Sequence, residues 1–334
     1  MTSLKKINLR TEITPFSYNF NIDYKSNLIF IGSCFTENIG NILKDAKFNI
    51  DINPFGILYN PVSVANSLQF LIEEKTFNED DIFYFNERWN SYYHHSKFSF
   101  TSKDDTLNNI NQQIKLSAKN LQNANCIFIT FGTSWVYELA NTDNVVSNCH
   151  KVPAKEFKKR ILELNEIIDV YNKLIQKLKA FNKGLKIIFT ISPIRHLKDG
   201  FSENMLSKSI LKLAINKIVN GNDNCYYFPS YEILIDDLRD YRFYEYDLLH
   251  PNKIAIDYIF IFLANSFFTE ETLSIYKKIK KISQAKLHRP FNENSNEYSK
   301  FIKKNINNIE ELLKKYNFLN LEEEYRFFKK KSDI

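Results

Sequence analysis

NLIFIGSCFTENIG (Asn27–Gly40) joins a strand-like apolar run to a segment with helical spacing, and the join falls at Gly32. Two more apolar runs end on a glycine beside polar residues, FNIDINPFG (Phe48–Gly56) and CIFITFGTSW (Cys126–Trp135). Glycine lets the backbone turn tightly and approach a ligand closely. In open α/β sheets, ligands bind outside the carboxyl ends of the strands. The pattern therefore predicts an α/β fold with a site at that edge of the sheet.

Strand-like runs alternate with helical spacing through the first 270 residues, which favours a parallel sheet. The runs are nearly continuous in apolar residues, so we expect helices to cover both faces. The clearest predicted helix is Lys155–Phe181. Residues 271–334 contain no glycine, are rich in Lys and Glu, and are spaced as helices. We therefore divide the chain into an α/β domain, residues 1–270, and a basic helical C-terminal extension, residues 271–334.

Charge is concentrated at the C-terminal end. The net charge is +6, and residues 271–334 account for it with 15 basic and 9 acidic residues. The neutral α/β domain argues against a nucleic-acid partner, because such proteins carry basic residues on the working face. For the basic tail we favour a solvated helical face, and the alternative is contact with an acidic partner or an anionic surface.

The sequence also bears on the compartment. The N-terminus lacks the apolar segment of a secretory signal, and no run of 18 apolar residues predicts a transmembrane segment. The four cysteines show no repeated spacing, so they predict neither a disulfide framework nor a zinc knuckle. We expect a cytoplasmic protein with reduced thiols.

Ser33 and the later DLLHPN segment (Asp247–Asn252) together predict a catalytic triad. Ser33 follows a strand and precedes a helix, where the helix N-terminus favours negative charge. His250 supplies a base, and Asp247, three residues earlier, supplies a carboxylate to orient its ring. The structural alternative for Ser33 is a helix cap. Cys34 leaves a Cys/His pair open, but we prefer to interpret it as a small buried hydrophobe.

Four residues are candidates for an oxyanion hole, which needs donors aimed where the carbonyl oxygen becomes negative. Gly56 and Gly132 stand at the ends of the second and third apolar runs, and either Ser134 or Asn148 would supply a side-chain donor. Turn geometry alone would also explain each glycine.

The substrate cleft is predicted to be lined by His95, Ser96, Trp135 and His150, with loop bracing as the alternative. A metal site built from His95, Cys149 and His150 is a weaker alternative. The chain has neither HExxH nor CxxC, so we expect no metal.

The segments quoted above resemble the GSCFA family, and so do three others: HHSKF, VVSNCHKVP and TISPIRHLKDG. The similarity covers about residues 5–265, and Thr36 stands where the name-giving pentapeptide has Ala. That family looks like a branch of the SGNH (GDSL-like) hydrolases. The resemblance implies a flavodoxin-like three-layer α/β/α sandwich with a parallel sheet. It also implies Ser33 as nucleophile, with Asp247 and His250 as its partners.

The same resemblance places Gly56 at the second family block and Gly132 at the third, where relatives carry Gly-x-Asn. This chain has Ser134 instead of that Asn, and it lacks the Asp of Gly-Asp-Ser. The implied function is a serine esterase or O-acyltransferase that acts on an acylated small molecule, glycan or lipid precursor. No cofactor is expected, apart from an acyl-CoA donor if the enzyme is a transferase. The alternatives are a non-catalytic ligand-binding module and a metal-dependent hydrolase.

Overall fold

A five-stranded parallel sheet forms the centre of the α/β unit, as predicted. The structure, a computed structural model, describes residues 10–332. Its sheet strands are β1 (Asn27–Gly32), β2 (Asn49–Ile52), β5 (Cys126–Phe131), β9 (Lys186–Ile191) and β10 (Cys225–Phe228). They lie in the order β2-β1-β5-β9-β10. This is the flavodoxin-like order, in which the direction of winding reverses between β1 and β5.

Helices flank the sheet and alternate with its strands. They are α1 (Cys34–Asp45), α2 (Pro61–Ile72), α3 (Lys103–Gln122), α4 (Leu164–Phe181), α5 (Phe201–Asn220), the single turn α6 (Ser230–Glu232) and α7 (Lys253–Phe267). Local sequence sets their starts. In α2, for example, the Asn60 side chain accepts the Ser63 N–H at 2.8 Å, and Pro61 occupies the first turn. Capping side chains satisfy N–H groups that have no partner within the helix.

Two small antiparallel sheets lie in the connections. One is a hairpin of β3 (Phe83–Phe85) and β4 (Arg88–Asn90). The other joins β6 (Trp135–Leu139) to β7 (Val145–Val146) and β8 (Phe157–Ile161). The predicted helix over Lys155–Phe181 is therefore wrong in its first part, because Phe157–Ile161 pairs with β6 as a strand. A capping box between Glu163 and Glu166 begins the helix at Leu164 instead.

A smaller helical unit comprises residues 16–26, 41–49 and the chain from residue 263 onward. Its helices are α8 (Glu270–Lys286), α9 (Asn296–Lys315) and α10 (Glu322–Ser332). The predicted helical C-terminal extension is confirmed as helical, while the boundary at residue 270 stays a prediction. An ion pair in this unit joins Lys47 Nζ to the buried Glu324 at 2.8 Å. None of the helices in residues 10–332 is long and apolar enough to cross a membrane.

Candidate active site

The turn between β1 and α1 is held tightly to the sheet. Gly32 has a φ of +136°, and a Cβ there would lie 2.1 Å from the Thr130 carbonyl oxygen of β5. The Gly32 N–H donates to Asn53 Oδ1 at 2.8 Å. The next N–H, that of Ser33, donates to the Thr130 oxygen at 3.3 Å. Only glycine fits this close approach of two parallel strands, so the turn has a fixed geometry.

Ser33 and Cys34 have different environments although they are neighbours. Ser33 is fully buried, and its hydroxyl has no hydrogen-bond partner within the described chain. Cys34 begins α1, is partly exposed and lines a pocket. The expectation that Cys34 is only a small buried hydrophobe is therefore wrong. Ser33, the predicted nucleophile, does not line that pocket.

The Asp247–His250 pair forms as the sequence predicted. His250 Nδ1 lies 2.5 Å from Asp247 Oδ2. The other carboxylate oxygen, Oδ1, accepts the backbone N–H groups of Leu249 at 2.9 Å and His250 at 3.0 Å. These three hydrogen bonds lower the pKa of Asp247 to about 2, so the carboxylate is ionised at neutral pH. Because Nδ1 is bound to Asp247, Nε2 is the ring nitrogen left for chemistry.

Arg195 braces the same loop from the segment after β9. Its guanidinium donates to the Leu248 carbonyl oxygen at 2.5 Å and lies 4.8 Å from the centre of the Tyr244 ring. Leu248 has a φ of +60°, which is strained for a leucine. Strained backbone persists only where surrounding contacts hold it, and here Arg195 and Asp247 supply those contacts.

A pocket of about 620 Å³ opens beyond the carboxyl ends of β1, β5 and β9. Cys34 and His250 are both among the residues that line it. Aromatic and polar side chains also line it, among them Tyr59, Asn60, His95, Thr133, Trp135, Tyr137, Asn148, Cys149, Lys159, Arg195, His196 and Lys198. The pocket therefore lies at the switch point where open α/β sheets bind ligands.

A buried lysine, Lys208, affects the pKa values of two pocket residues, Cys34 and His196. Lys208 Nζ donates to the carbonyl oxygens of Gly132 and Ser192, each at 2.7 Å. Burial lowers its pKa to about 7. Burial also raises the pKa of the Cys34 thiol, although the backbone N–H groups of Cys34 and Phe35 and the Lys208 charge oppose that rise. The resting sulfur is therefore a thiol that needs a base to become a nucleophile.

In three of the four predicted oxyanion-hole residues, the donor group is already hydrogen-bonded to another residue of the protein. The Gly56 N–H donates to Asn53 O at 2.7 Å, and the Gly132 N–H donates to Tyr59 O at 2.7 Å. Ser134 is fully buried, and its hydroxyl, the predicted donor, donates to the Ser207 carbonyl oxygen at 3.4 Å. Asn148 lies on the pocket wall, and its Oδ1 accepts the N–H of His150 at 2.9 Å.

The predicted cleft residues separate into two groups. His95 and Trp135 line the pocket, whereas Ser96 is exposed and His150 binds Ser91 O through Nε2 at 2.8 Å. Ser96 and His150 are not among the pocket-lining residues. Within residues 10–332, no group of three or more His, Cys, Asp or Glu side chains is arranged to hold a metal ion.

His196 is a pocket residue that sequence reasoning missed. Its Nε2 is buried without a partner in the described residues, and its ring packs edge-on against Tyr59 with 5.5 Å between centroids. Burial and the Lys208 charge lower its pKa to about 4, so it is neutral at pH 7. The signal was its position in TISPIRHLKDG, five residues after β9 ends at the same sheet edge as β1.

Comparison with family models identifies the chain. The model of the GSCFA family matches residues 27–262. The chain belongs to the GSCFA family. A second model, the C-terminal domain of GSCFA domain proteins, matches residues 279–333. The first match spans the sheet, the pocket and the Asp247–His250 loop of this GSCFA protein.

Other comparisons are more distant. No curated protein matches the GSCFA chain. Among solved structures, it is similar to a carbohydrate esterase family 3 structure from Talaromyces cellulolyticus. The identity is 10%, the TM-score is 0.36, and the match covers 75% of this chain and 98% of the other. A TM-score at that level carries no argument about this chain's activity.

Proposed function

We propose that this GSCFA protein is an SGNH-like enzyme that hydrolyses or transfers an O-acyl group. His250 is the general base, and Asp247 orients it. The observation that supports this is the 2.5 Å contact between His250 Nδ1 and Asp247 Oδ2, on a residue that lines the pocket beyond β1 and β5. A carboxylate that fixes one ring nitrogen leaves the other free to take and return a proton.

The reaction needs a nucleophile and a base on one cavity. The nucleophile comes from the β1–α1 turn, which carries Ser33 and Cys34. His250 removes its proton as it attacks the acyl carbonyl, and then gives that proton to the departing alcohol. Water releases the acyl group in a hydrolase, and an acceptor hydroxyl takes it in a transferase. Asn148 is the predicted oxyanion donor that lines the pocket.

The pocket walls suit an acyl substrate with polar or anionic groups. Tyr59 and Trp135 offer aromatic faces for an acyl chain or a sugar ring. Arg195 and Lys198 place positive charge on the wall, which favours anionic groups. An acylated small molecule, glycan or lipid precursor fits this description. The phosphates of an acyl-CoA donor would meet the same charges in a transferase.

The test is ester turnover by the pure full-length chain with p-nitrophenyl acetate. We expect His250→Ala to lower kcat by about 10³-fold, since a positioned general base contributes 10²–10⁴-fold. His288→Ala is the matched control, because His288 is exposed and lies in the helical unit. The proposal fails if the wild type is inactive, which would favour a ligand-binding module. It also fails if His250→Ala is as active as His288→Ala.

A further inference from the structure

The nucleophile of the proposed reaction can be assigned from the exposure of two adjacent side chains. Ser33 is fully buried, whereas Cys34 is partly exposed and lines the same pocket as His250. A nucleophile must reach both the substrate and the base. Of the two side chains, only Cys34 borders the pocket.

The backbone explains why these neighbours differ. Ser33 stays with the sheet because its N–H is bound to Thr130 O at 3.3 Å, while its carbonyl oxygen accepts the Thr36 N–H at 2.9 Å. Cys34 is the first residue of α1. The backbone N–H groups of Cys34 and Phe35 lower the pKa of its thiol, against the larger rise that burial causes. A helix N-terminus stabilises a developing thiolate through these N–H groups and the helix dipole.

The surroundings of Cys34 also suit nucleophilic attack. Lys208 is buried, and in its protonated form its charge favours the thiolate form of Cys34. Its Nζ is fixed by the carbonyl oxygens of Gly132 and Ser192 at 2.7 Å, so the charge cannot move away. Cys149 is the other cysteine on the pocket wall, but it lies outside the helices and strands.

We propose that Cys34, and not Ser33, is the nucleophile of this enzyme and carries the acyl group as a thioester. This rests on the proposed acyl-ester function. Cys34 Sγ bonds to the acyl carbon as its proton passes to His250 Nε2. The ester C–O bond then breaks, and the alcohol leaves with that proton. Water or an acceptor hydroxyl next attacks the thioester and gives its proton to His250. The C–S bond breaks, and the sulfur recovers the proton.

Three variants of the full chain test the assignment with p-nitrophenyl acetate. We expect Cys34→Ala to lower turnover by about 10³-fold or more, as removal of a nucleophile does. Cys34→Ser keeps the shape of the side chain, and we expect turnover at least ten-fold below the wild type. Ser33→Ala should keep far more turnover than either. Cys225→Ala is a control for loss of a thiol, because Cys225 is buried at the start of β10.

Chemical modification is a second readout that does not depend on substrate. We expect iodoacetamide to alkylate Cys34 and to abolish turnover in proportion to the label at that residue, and we expect Ser33→Ala to be inactivated likewise. Circular dichroism and thermal unfolding establish that each variant is folded. The assignment is overturned if folded Cys34→Ala retains turnover, or if alkylation of Cys34 leaves activity intact. If turnover also survives in His250→Ala, the proposed function itself fails. An inactive wild type would overturn both.

Discussion

The two regions that supply the site are built in opposite ways. The β1–α1 turn is buried and bound to neighbouring strands, with Gly32 against Thr130 and Asn53. The loop that carries His250 is open to solvent, and the side chains of His250 and Asp247 are 49% and 45% exposed. Its order comes from hydrogen bonds within the loop and from Arg195.

Because of this difference, we expect substitutions in the two regions to have different effects on stability and on activity. A side chain added at Gly32 must disturb the packing of β1 against β5, so it should cost folding free energy. A change in the exposed loop removes few packed atoms, so it should cost activity and leave folding intact. Substitutions at Gly32 should therefore lower stability, whereas substitutions in the exposed loop should lower activity.

The largest expected effect on stability is that of Gly32→Ala. A Cβ at Gly32 would lie 2.1 Å from a backbone oxygen, at a φ of +136°. Gly200→Ala is the matched control, since Gly200 also has a positive φ, of +95°, but has nothing within 4 Å of a Cβ. We expect Gly32→Ala to lose about 2 kcal/mol or more beyond Gly200→Ala, from overpacking alone. Urea unfolding measures it, and equal losses would contradict a rigid turn.

Asp247→Asn should lower activity and leave stability nearly unchanged. The amide cannot stabilise the imidazolium that forms at His250, and we expect kcat to fall by about 10²-fold or more. Because the carboxylate is half exposed, the unfolding midpoint should stay near that of the wild type. The pKa of Asp247 of about 2 also predicts that this carboxylate causes no loss of activity between pH 5 and 8. Kinetics and thermal unfolding on the same samples test both statements. A loss of unfolding free energy comparable to that of Gly32→Ala would contradict the expected difference between the turn and the loop.

Lys208 should give the buried region a pH dependence that the loop lacks. Burial lowers its pKa from 10.5 to about 7 in the folded state, so the unfolded chain binds more protons between those values. The free energy of unfolding should therefore increase as the pH rises above 7, and this increase is lost as the pH falls back to 7. We expect the free energy of unfolding of the wild type, relative to Lys208→Met, to increase between pH 7 and 9.

Lys217→Met is the matched control for that measurement, because Lys217 lies on the exposed side of the same helix, α5. Its difference from the wild type should stay constant over the same pH range. A constant difference for Lys208→Met as well would mean that Lys208 remains charged in the folded protein.

The smallest expected effect is that of Leu248→Gly. Leu248 has a φ of +60° and is about half exposed. Glycine adopts this conformation without strain, so we expect a gain of no more than about 1 kcal/mol in folding free energy. Thermal unfolding measures it. A loss of stability would show that the side chain of Leu248, and not hydrogen bonding around it, holds the loop.

The sequence predicted the sheet and the dyad because both depend on short-range signals. Buried parallel strands appear as apolar runs, and Asp247 reaches His250 from three residues away. Two features could not be predicted from the sequence. The spacing of Phe157 and Ile161 fits either a helix or a strand, and pairing with β6 decided for the strand. The orientation of a residue after a strand depends on the turn, so Ser33 and Cys34 could not be separated by spacing.

In the proposed reaction, the turn after β1 supplies the nucleophile, Cys34, and the exposed loop supplies the base, His250. This assignment is tested most directly by rapid acid quenching of the wild type with p-nitrophenyl acetate, followed by peptide mass spectrometry. We predict an acetyl group on Cys34 that neutral hydroxylamine removes, as a thioester requires, and no such adduct in Cys34→Ala. An acetyl group on Ser33, or one that Cys34→Ala still forms, would contradict the assignment of Cys34 as nucleophile.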